Sequence, residues 1–139
     1  VARAAGAAAT LAPEDDVAPH LAGAWTPGKA DLVIDCAGGP PVLEAALKHV
    51  RPGGRLTLAA VHTGPDALSS MRVLDKEVAV RGAQGFTTAE HARAIAALPS
   101  WETAPQLISH RFALEDFAAA FAAQLDRDAS VKVLISPEG

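Results

Sequence analysis

The chain has 139 residues, 50% of them hydrophobic and 20% charged, with a net charge of −4. That length fits one domain of ordinary size, and the composition fits a folded globular chain rather than a disordered one. With no basic stripe, no apolar run near the roughly 18 residues that span a bilayer, and no visible targeting segment, the expected partners include neither nucleic acid nor membrane, and the expected location is cytoplasmic.

A single cysteine, Cys36, excludes an internal disulfide and a cysteine-built zinc site. The five histidines, His20, His49, His62, His91 and His110, are scattered and form no i, i+4 pair. Each reads first as a surface or half-buried side chain. No metal ligand and no catalytic residue is assigned within the chain.

In chain order, Arg3 to Ala5 read as the last turn of a helix closed by Gly6, a residue that tolerates positive φ. A helix end with no beginning is expected of a chain cut from something longer. "AATLA" (Ala8–Ala12) reads as a short apolar strand. Asp15 or Asp16 caps a helix running to about Trp25, with Pro19 in its first turn. "TPGKA" is a turn. "DLVID" (Asp31–Asp35) is a continuous apolar run with β-branched residues, the pattern of a strand buried on both faces.

Gly38 to Pro41 break that strand, and proline opens the next helix. Leu43, Ala46, Leu47 and Val50 then fall on one helical face. "RPGG" ends the helix, and "RLTLAAV" (Arg55–Val61) is a second buried strand. "MRVLDKE" is a short helical turn, and "VAVRGAQ" (Val78–Gln84) a third strand. Thr87 and Glu90 form a capping box for a helix through about Leu98. "QLISHRF" is a strand. A helix from Leu114 to Leu125 carries Leu114, Phe117, Ala118, Phe121 and Leu125 on one stripe, and "SVKVLIS" (Ser130–Ser136) is the last strand.

Strands alternating with helices at this spacing predict an α/β fold with a mostly parallel sheet. Ligands of such sheets bind at the carboxyl ends of strands. Those ends are residues 36–39, 59–63 and 84–86, all small, glycine-rich or polar. Small residues let a flat ligand approach the backbone; they also permit tight strand-to-helix turns, which is the plainer explanation of any one loop.

Two enzyme families carry an "LKHVRPGGRLTL"-like segment. For S-adenosylmethionine-dependent methyltransferases the rest of the pattern fails: no "ExGxG"-like motif occurs, and no long terminal hairpin is visible. By contrast, "ADLVIDCAGGPPVLEAALKHVRPGGRLTLAAV" resembles the nucleotide-binding domain of zinc-type medium-chain alcohol dehydrogenases. "DKEVAVRGAQGFT" is similar to that family's sixth-strand segment. "LISHRFALEDFAAAFAAQLDRDASVKVLISP" is similar to its C-terminal signature, and "RGxxGFT" leans toward the polyol and threonine dehydrogenase branch.

The resemblance implies a partial Rossmann-like, doubly wound, mostly parallel sheet with helices on both faces. It implies NAD or NADP as cofactor, with zinc held in a catalytic domain that this chain lacks. Cys36, Ala37 and Gly38 would lie beside the adenosine side of the dinucleotide. Ala60, Val61 and His62 would approach the nicotinamide ribose and carboxamide. Ala83, Gln84 and Gly85 would offer backbone contacts to the carboxamide edge. Lys132 would reach the pyrophosphate, unless it is simply a solvated lysine. Strand Val78–Gln84 would pair with its twin in a homo-oligomer.

No GxGxxG occurs, so the phosphate loop, the first two strands and the catalytic domain are expected upstream of Val1. Without them, residues 8–12 should fail to take their family position, and the Asp31–Asp35 strand should expose an apolar edge. The implied activity is hydride transfer between a secondary alcohol and nicotinamide by the complete enzyme, the 139-residue chain alone being inactive. Alternatives are a zinc-free enone or quinone reductase of the same superfamily, or a non-catalytic dimerisation module.

Overall fold

A computed structural model of the chain describes residues 2–21, 26–61, 64, 68–126 and 128–137. The chain divides into two compact units, Leu11–Gly85 in one and Val1–Thr10 with Phe86–Gly139 in the other. No helix among the described residues is long and apolar enough to cross a membrane.

The first unit is built on three parallel strands, β1 (Ala30–Asp35), β2 (Val50–Leu58) and β3 (Ala79–Gly82), in the order β1-β2-β3. Helix α1 (Pro40–His49) crosses from β1 to β2, and α2 (Ser70–Lys76) from β2 to β3. Sequential strands lie side by side, each pair joined by the helical crossover that parallel strands need. In α1 the expected face is the buried one: Leu43, Ala46, Leu47 and Val50 all point inward. Leu47 and Val50 meet Leu56 and Val78 in the core, with Val33 and Val80 packed against it. Val33, Leu56 and Val80 are register partners across the three strands, so one row of the sheet supplies the floor on which α1 rests. Each such leucine contributes about 1.5–3 kcal/mol by leaving water.

The end of α1 is held by cations. Its last carbonyls lack partners within the helix. The Lys76 ammonium, from the last turn of α2, donates to the carbonyls of Leu47, Lys48 and Val50, and the Lys29 ammonium donates to that of Lys48 at 2.8 Å. Positive charge there also suits the negative end of the helix dipole. Partial burial holds the Lys76 pKa below its ordinary value, with Lys29 and Arg72 adding to the effect. Arg72 of α2 pairs with Glu44 of α1, outside the core.

The "RPGG" segment is not a loop between helix and strand. Strand β2 begins at Val50, directly from α1, and ends at Leu58 rather than Val61. The segment is accommodated as a bulge: the register passes from Ala30↔Val50 to Leu32↔Arg55, two residues along β1 for five along β2. An Arg51–Asp31 ion pair spans it. Gly54 is buried here because nothing larger fits. A Cβ would fall 2.7 Å from Cγ2 of Val50 and 2.9 Å from the carbonyl oxygen of Arg51.

Strand β1 departs from expectation on one face. Val33 and Asp35 turn inward, but Leu32 and Ile34 are exposed. Among the described residues β1 has β2 as its sole strand partner, so it forms one edge of the sheet and β3 the other. The apolar run thus leaves an exposed apolar edge, as the sequence order predicted. Residues 8–12 form no strand: among the described residues they have no ladder partner, and the Ala12 N–H goes to the Asp15 carboxylate instead. The helix expected to run to about Trp25 is a single 3₁₀ turn, Ala18–His20, after which Leu21 is extended; Asp16 Oδ1 accepts the Ala18 N–H. The expected continuation over residues 22–25 lies outside the described residues.

The second unit holds β4 (Ile108–Ala113) and β5 (Lys132–Ser136), a parallel pair connected through α4 (Phe117–Leu125). They form a separate two-stranded sheet rather than extending the first one. Helix α3 (Thr88–Ala97) begins with the expected capping box: the Thr87 hydroxyl accepts the Glu90 N–H, and the Glu90 carboxylate accepts the Thr87 N–H. Residues 2–7 form the expected helix-end geometry. The Gly6 N–H bonds to the Arg3 carbonyl and the Ala7 N–H to the Ala2 carbonyl, with Gly6 at φ +97°, which is a Schellman closure. The α4 stripe is a correction. Leu114, Phe117, Ala118, Phe121 and Leu125 are exposed, and Ala120 is the buried residue of the helix; Phe117 and Phe121 border an open hollow with it, Val133 and Ile135.

Candidate functional site

The carboxyl ends of β1, β2 and β3 lie along one margin of the parallel sheet. The first residues beyond β2 and β3 are fixed by hydrogen bonds to the neighbouring strand. The Ala59 and Ala60 N–H groups both donate to the Asp35 carbonyl at 2.9 Å, and the Ala83 N–H donates to the Leu58 carbonyl at 2.9 Å. These bonds carry the sheet's cross-linking one step past each strand.

Asp35 does more. It is the buried polar residue of the described core, 2% exposed. Its Oδ1 accepts the N–H groups of Ala37 at 2.9 Å and Gly38 at 2.8 Å, folding residues 36–38 back over the strand end. Gly38 and Gly39 continue the turn at φ +79° and +97° into the first turn of α1. Sequence reasoning passed over Asp35. The available signal was an acidic residue closing an apolar strand, shortly before a glycine pair, where a short carboxylate satisfies its own loop.

Between the ends of β2 and β3 lies an open cleft of about 660 Å³ lined by residues 58–61 and 82–85. Of the expected contact residues, Ala60, Val61, Ala83, Gln84 and Gly85 come together there, joined by Ala59, already counted among the strand ends, and by Leu58 and Gly82, which were not anticipated. The lining is nearly all backbone and small side chains, with the Gln84 amide as its polar side chain. Such a surface accepts a flat ligand and offers it N–H and C=O groups rather than charge. Cys36, Ala37 and Gly38 do not line this cleft; they sit at the end of β1, with Cys36 exposed. His62 lies outside the described residues. Lys132 is in the other unit, an exposed residue at the start of β5.

His49 and Lys76, whose pKa values are displaced, both lie outside this cleft. His49, in the last turn of α1, has its Nδ1 buried with no hydrogen-bond partner among the described residues. Desolvation holds its pKa below 6.5, and the positive charges of Lys48 and Lys29 push the same way. It lines a second, apolar hollow of about 370 Å³ beside β1, together with Val17, Leu32, Ile34 and Val42. Among the described residues no group of three or more His, Cys, Asp or Glu side chains could hold a metal ion.

A parallel β1-β2-β3 half-sheet with helical crossovers and a small-residue cleft at its strand ends is an open α/β fold of the Rossmann type. The chain belongs to the zinc-binding dehydrogenase family, whose profile it matches over residues 1–100. It is 26% identical over 105 residues to an L-threonine 3-dehydrogenase of Burkholderia mallei, covering 75% of this chain and 31% of that protein. Among solved structures, a Sinorhizobium meliloti protein assigned to the zinc-binding dehydrogenases and bound to NADP superposes with a TM-score of 0.79 at 26% identity, covering 98% of this chain and 41% of that one. An alcohol dehydrogenase of Escherichia coli complexed with NADH gives 0.68 at 25% identity, over 78% of this chain and 32% of that one. The chain thus spans about a third of the length of the curated relatives it matches.

Proposed function

We propose that this chain supplies the second half of the dinucleotide-binding domain of an NAD(P)-dependent dehydrogenase acting on a small alcohol or polyol, in the cytoplasm. The observation that carries the reading is the cleft across the ends of β2 and β3, whose small lining admits a flat ring against bare backbone. When bound, the nicotinamide accepts or donates the hydride exchanged with the alcohol carbon. The part of this chain is to hold and orient the dinucleotide. Residues 36–38 flank its adenosine side, and Ala60 and Val61 its nicotinamide ribose and carboxamide. Ala83, Gln84 and Gly85 meet the carboxamide edge.

The zinc of the family has no donor set among the described residues, so no residue here is assigned to it. In this reading the glycine-rich phosphate loop, the metal ligands and the substrate pocket belong to the remainder of a relative-length protein. The exposed edge of β3 supports pairing with its twin in a homo-oligomer, which would remove that edge from solvent.

The test is a fluorescence titration of the protein from its natural source with NADH and with NADPH, alongside its intact mass. Saturable binding of one or both is expected, and Ala83→Leu, which puts a branched side chain into the cleft, should abolish it while the fold is retained. No saturable binding of either dinucleotide, or wild-type affinity in Ala83→Leu, would overturn the reading.

A further inference from the structure

We infer that Asp35 is a positioning residue for the dinucleotide, its carbonyl fixing a loop that lines the cleft and its side chain the loop at the end of β1, so that its two arms serve different halves of the ligand; the inference rests on the reading above. The side-chain arm is Oδ1, which takes the N–H groups of Ala37 and Gly38 at 2.9 and 2.8 Å. The main-chain arm is the carbonyl, which takes the N–H groups of Ala59 and Ala60, both at 2.9 Å. One residue, 2% exposed, therefore sets the loop after β1 and the loop after β2 together.

The chemistry favours a carboxylate at this point. Two adjacent N–H groups converge on one oxygen, and an anionic acceptor holds such donors more strongly than a neutral one. Residues 37 and 38 lie beyond the end of the β1–β2 ladder, whose last register pair is Asp35↔Leu58, and their N–H groups go to Oδ1 instead. Without the side-chain acceptor, the turn through Gly38 and Gly39 would lose the bonds that select it from the many conformations open to a glycine pair. The loop after β2 is different. Its bonds go to a carbonyl that every residue type possesses, so they survive any side-chain change at position 35.

The two arms can be separated by experiment. The side-chain arm supports the loop assigned to the adenosine side, and the main-chain arm the loop assigned to the nicotinamide side. In the full-length protein, Asp35→Ala should weaken binding of ADP-ribose by about tenfold, the scale expected when a charge-assisted acceptor of two N–H groups is lost. Binding of reduced nicotinamide mononucleotide should stay at the wild-type level. Asp35→Asn retains an Oδ1 acceptor and should recover most of the ADP-ribose affinity. Hydrogen exchange should show faster exchange at Ala37 and Gly38 in Asp35→Ala, unchanged exchange at Ala59 and Ala60, and restored protection in Asp35→Asn.

Wild-type ADP-ribose affinity in Asp35→Ala, or equal losses for the two half-ligands, would overturn the division of labour. Unchanged exchange at Ala37 and Gly38 would overturn the positioning role itself. If the wild-type protein binds neither half-ligand, the functional reading fails, while the exchange experiment still decides whether Asp35 holds the loop. Should Asp35→Ala not fold, Asp35→Glu carries the test. It keeps the charge but moves the carboxylate by one methylene, so it must also shift the ADP-ribose affinity, and an unchanged affinity overturns the inference.

Discussion

Helices α1 and α4 do the same topological job with opposite results. Each crosses between two adjacent parallel strands, β1 to β2 and β4 to β5. Each carries bulky apolar residues at helical spacing. In α1 those residues are the core, with Leu47 fully buried; in α4 they face solvent, with Phe121 58% exposed. The difference lies in the other face. In α1 the opposite side carries Glu44 and Lys48, so there is one apolar side to bury. In α4 the remaining positions are mostly alanine: Ala120 is the buried residue, and Phe117 and Phe121, stacked with ring centroids 6.2 Å apart, border with it an open hollow toward Val133 and Ile135 of β5. A helix apolar all round has more surface than its own strand pair covers.

The comparison can be broken at α1 first. Leu47→Ala should destabilise the protein by about 2–5 kcal/mol, the range for a fully buried leucine whose cavity does not collapse. Urea denaturation followed by far-ultraviolet circular dichroism reads it directly, and a loss below about 0.5 kcal/mol, the range of exposed sites, would mean that α1 is not the centre of the core. Gly54→Ala comes next. Its new methyl meets Val50 at the end of α1, and overpacking of that kind costs about 1–3 kcal/mol.

The third effect depends on pH. His49 titrates below 6.5 in the folded protein, chiefly through desolvation, so between that lowered value and 6.5 the unfolded chain binds more protons. Stability should therefore fall as pH drops below 6.5 and be unaffected by His49 above it. In His49→Leu that part of the slope should vanish, and a melting temperature series from neutral pH to about pH 5 compares the two. Identical slopes would show that the buried Nδ1 carries no penalty. The smallest effect belongs to α4. Phe121→Ser should change stability by no more than about 0.5 kcal/mol, as for other exposed positions. A loss comparable to that of Leu47→Ala would mean that the aromatic stripe is covered after all.

The features legible in advance divide along the same line. The α1 face, the Thr87–Glu90 capping box, the Gly6 closure and the parallel strands alternating with helices all rest on signals in which local sequence and tertiary packing agree. The α4 orientation was not legible, because an alanine-rich helix gives periodicity without saying which side meets the sheet. Nor was the exposure of Leu32 and Ile34, since burial of a strand's second face depends on what lies beyond it. In the cleft, the small residues at strand ends announced themselves by composition. Asp35 did not, because its role comes from the return of the chain onto a single carboxylate oxygen, a contact that no spacing rule describes.

The bulge between α1 and β2 bears on how this fold tolerates changes in length. Two residues of β1 already run past five of β2, with Pro52 and Gly53 exposed, so an added or deleted residue at that point would alter the size of an existing irregularity. One residue further on, the tolerance ends. Past Gly54 the ladder is strictly alternating, and a single insertion would turn Leu56 out of the core and bring Arg55 or Thr57 into its place. Insertions and deletions should therefore be permitted on one side of Gly54 and purged on the other, so that this buried glycine marks the boundary between the stretch where the gene can drift in length and the stretch where it can change only letter by letter.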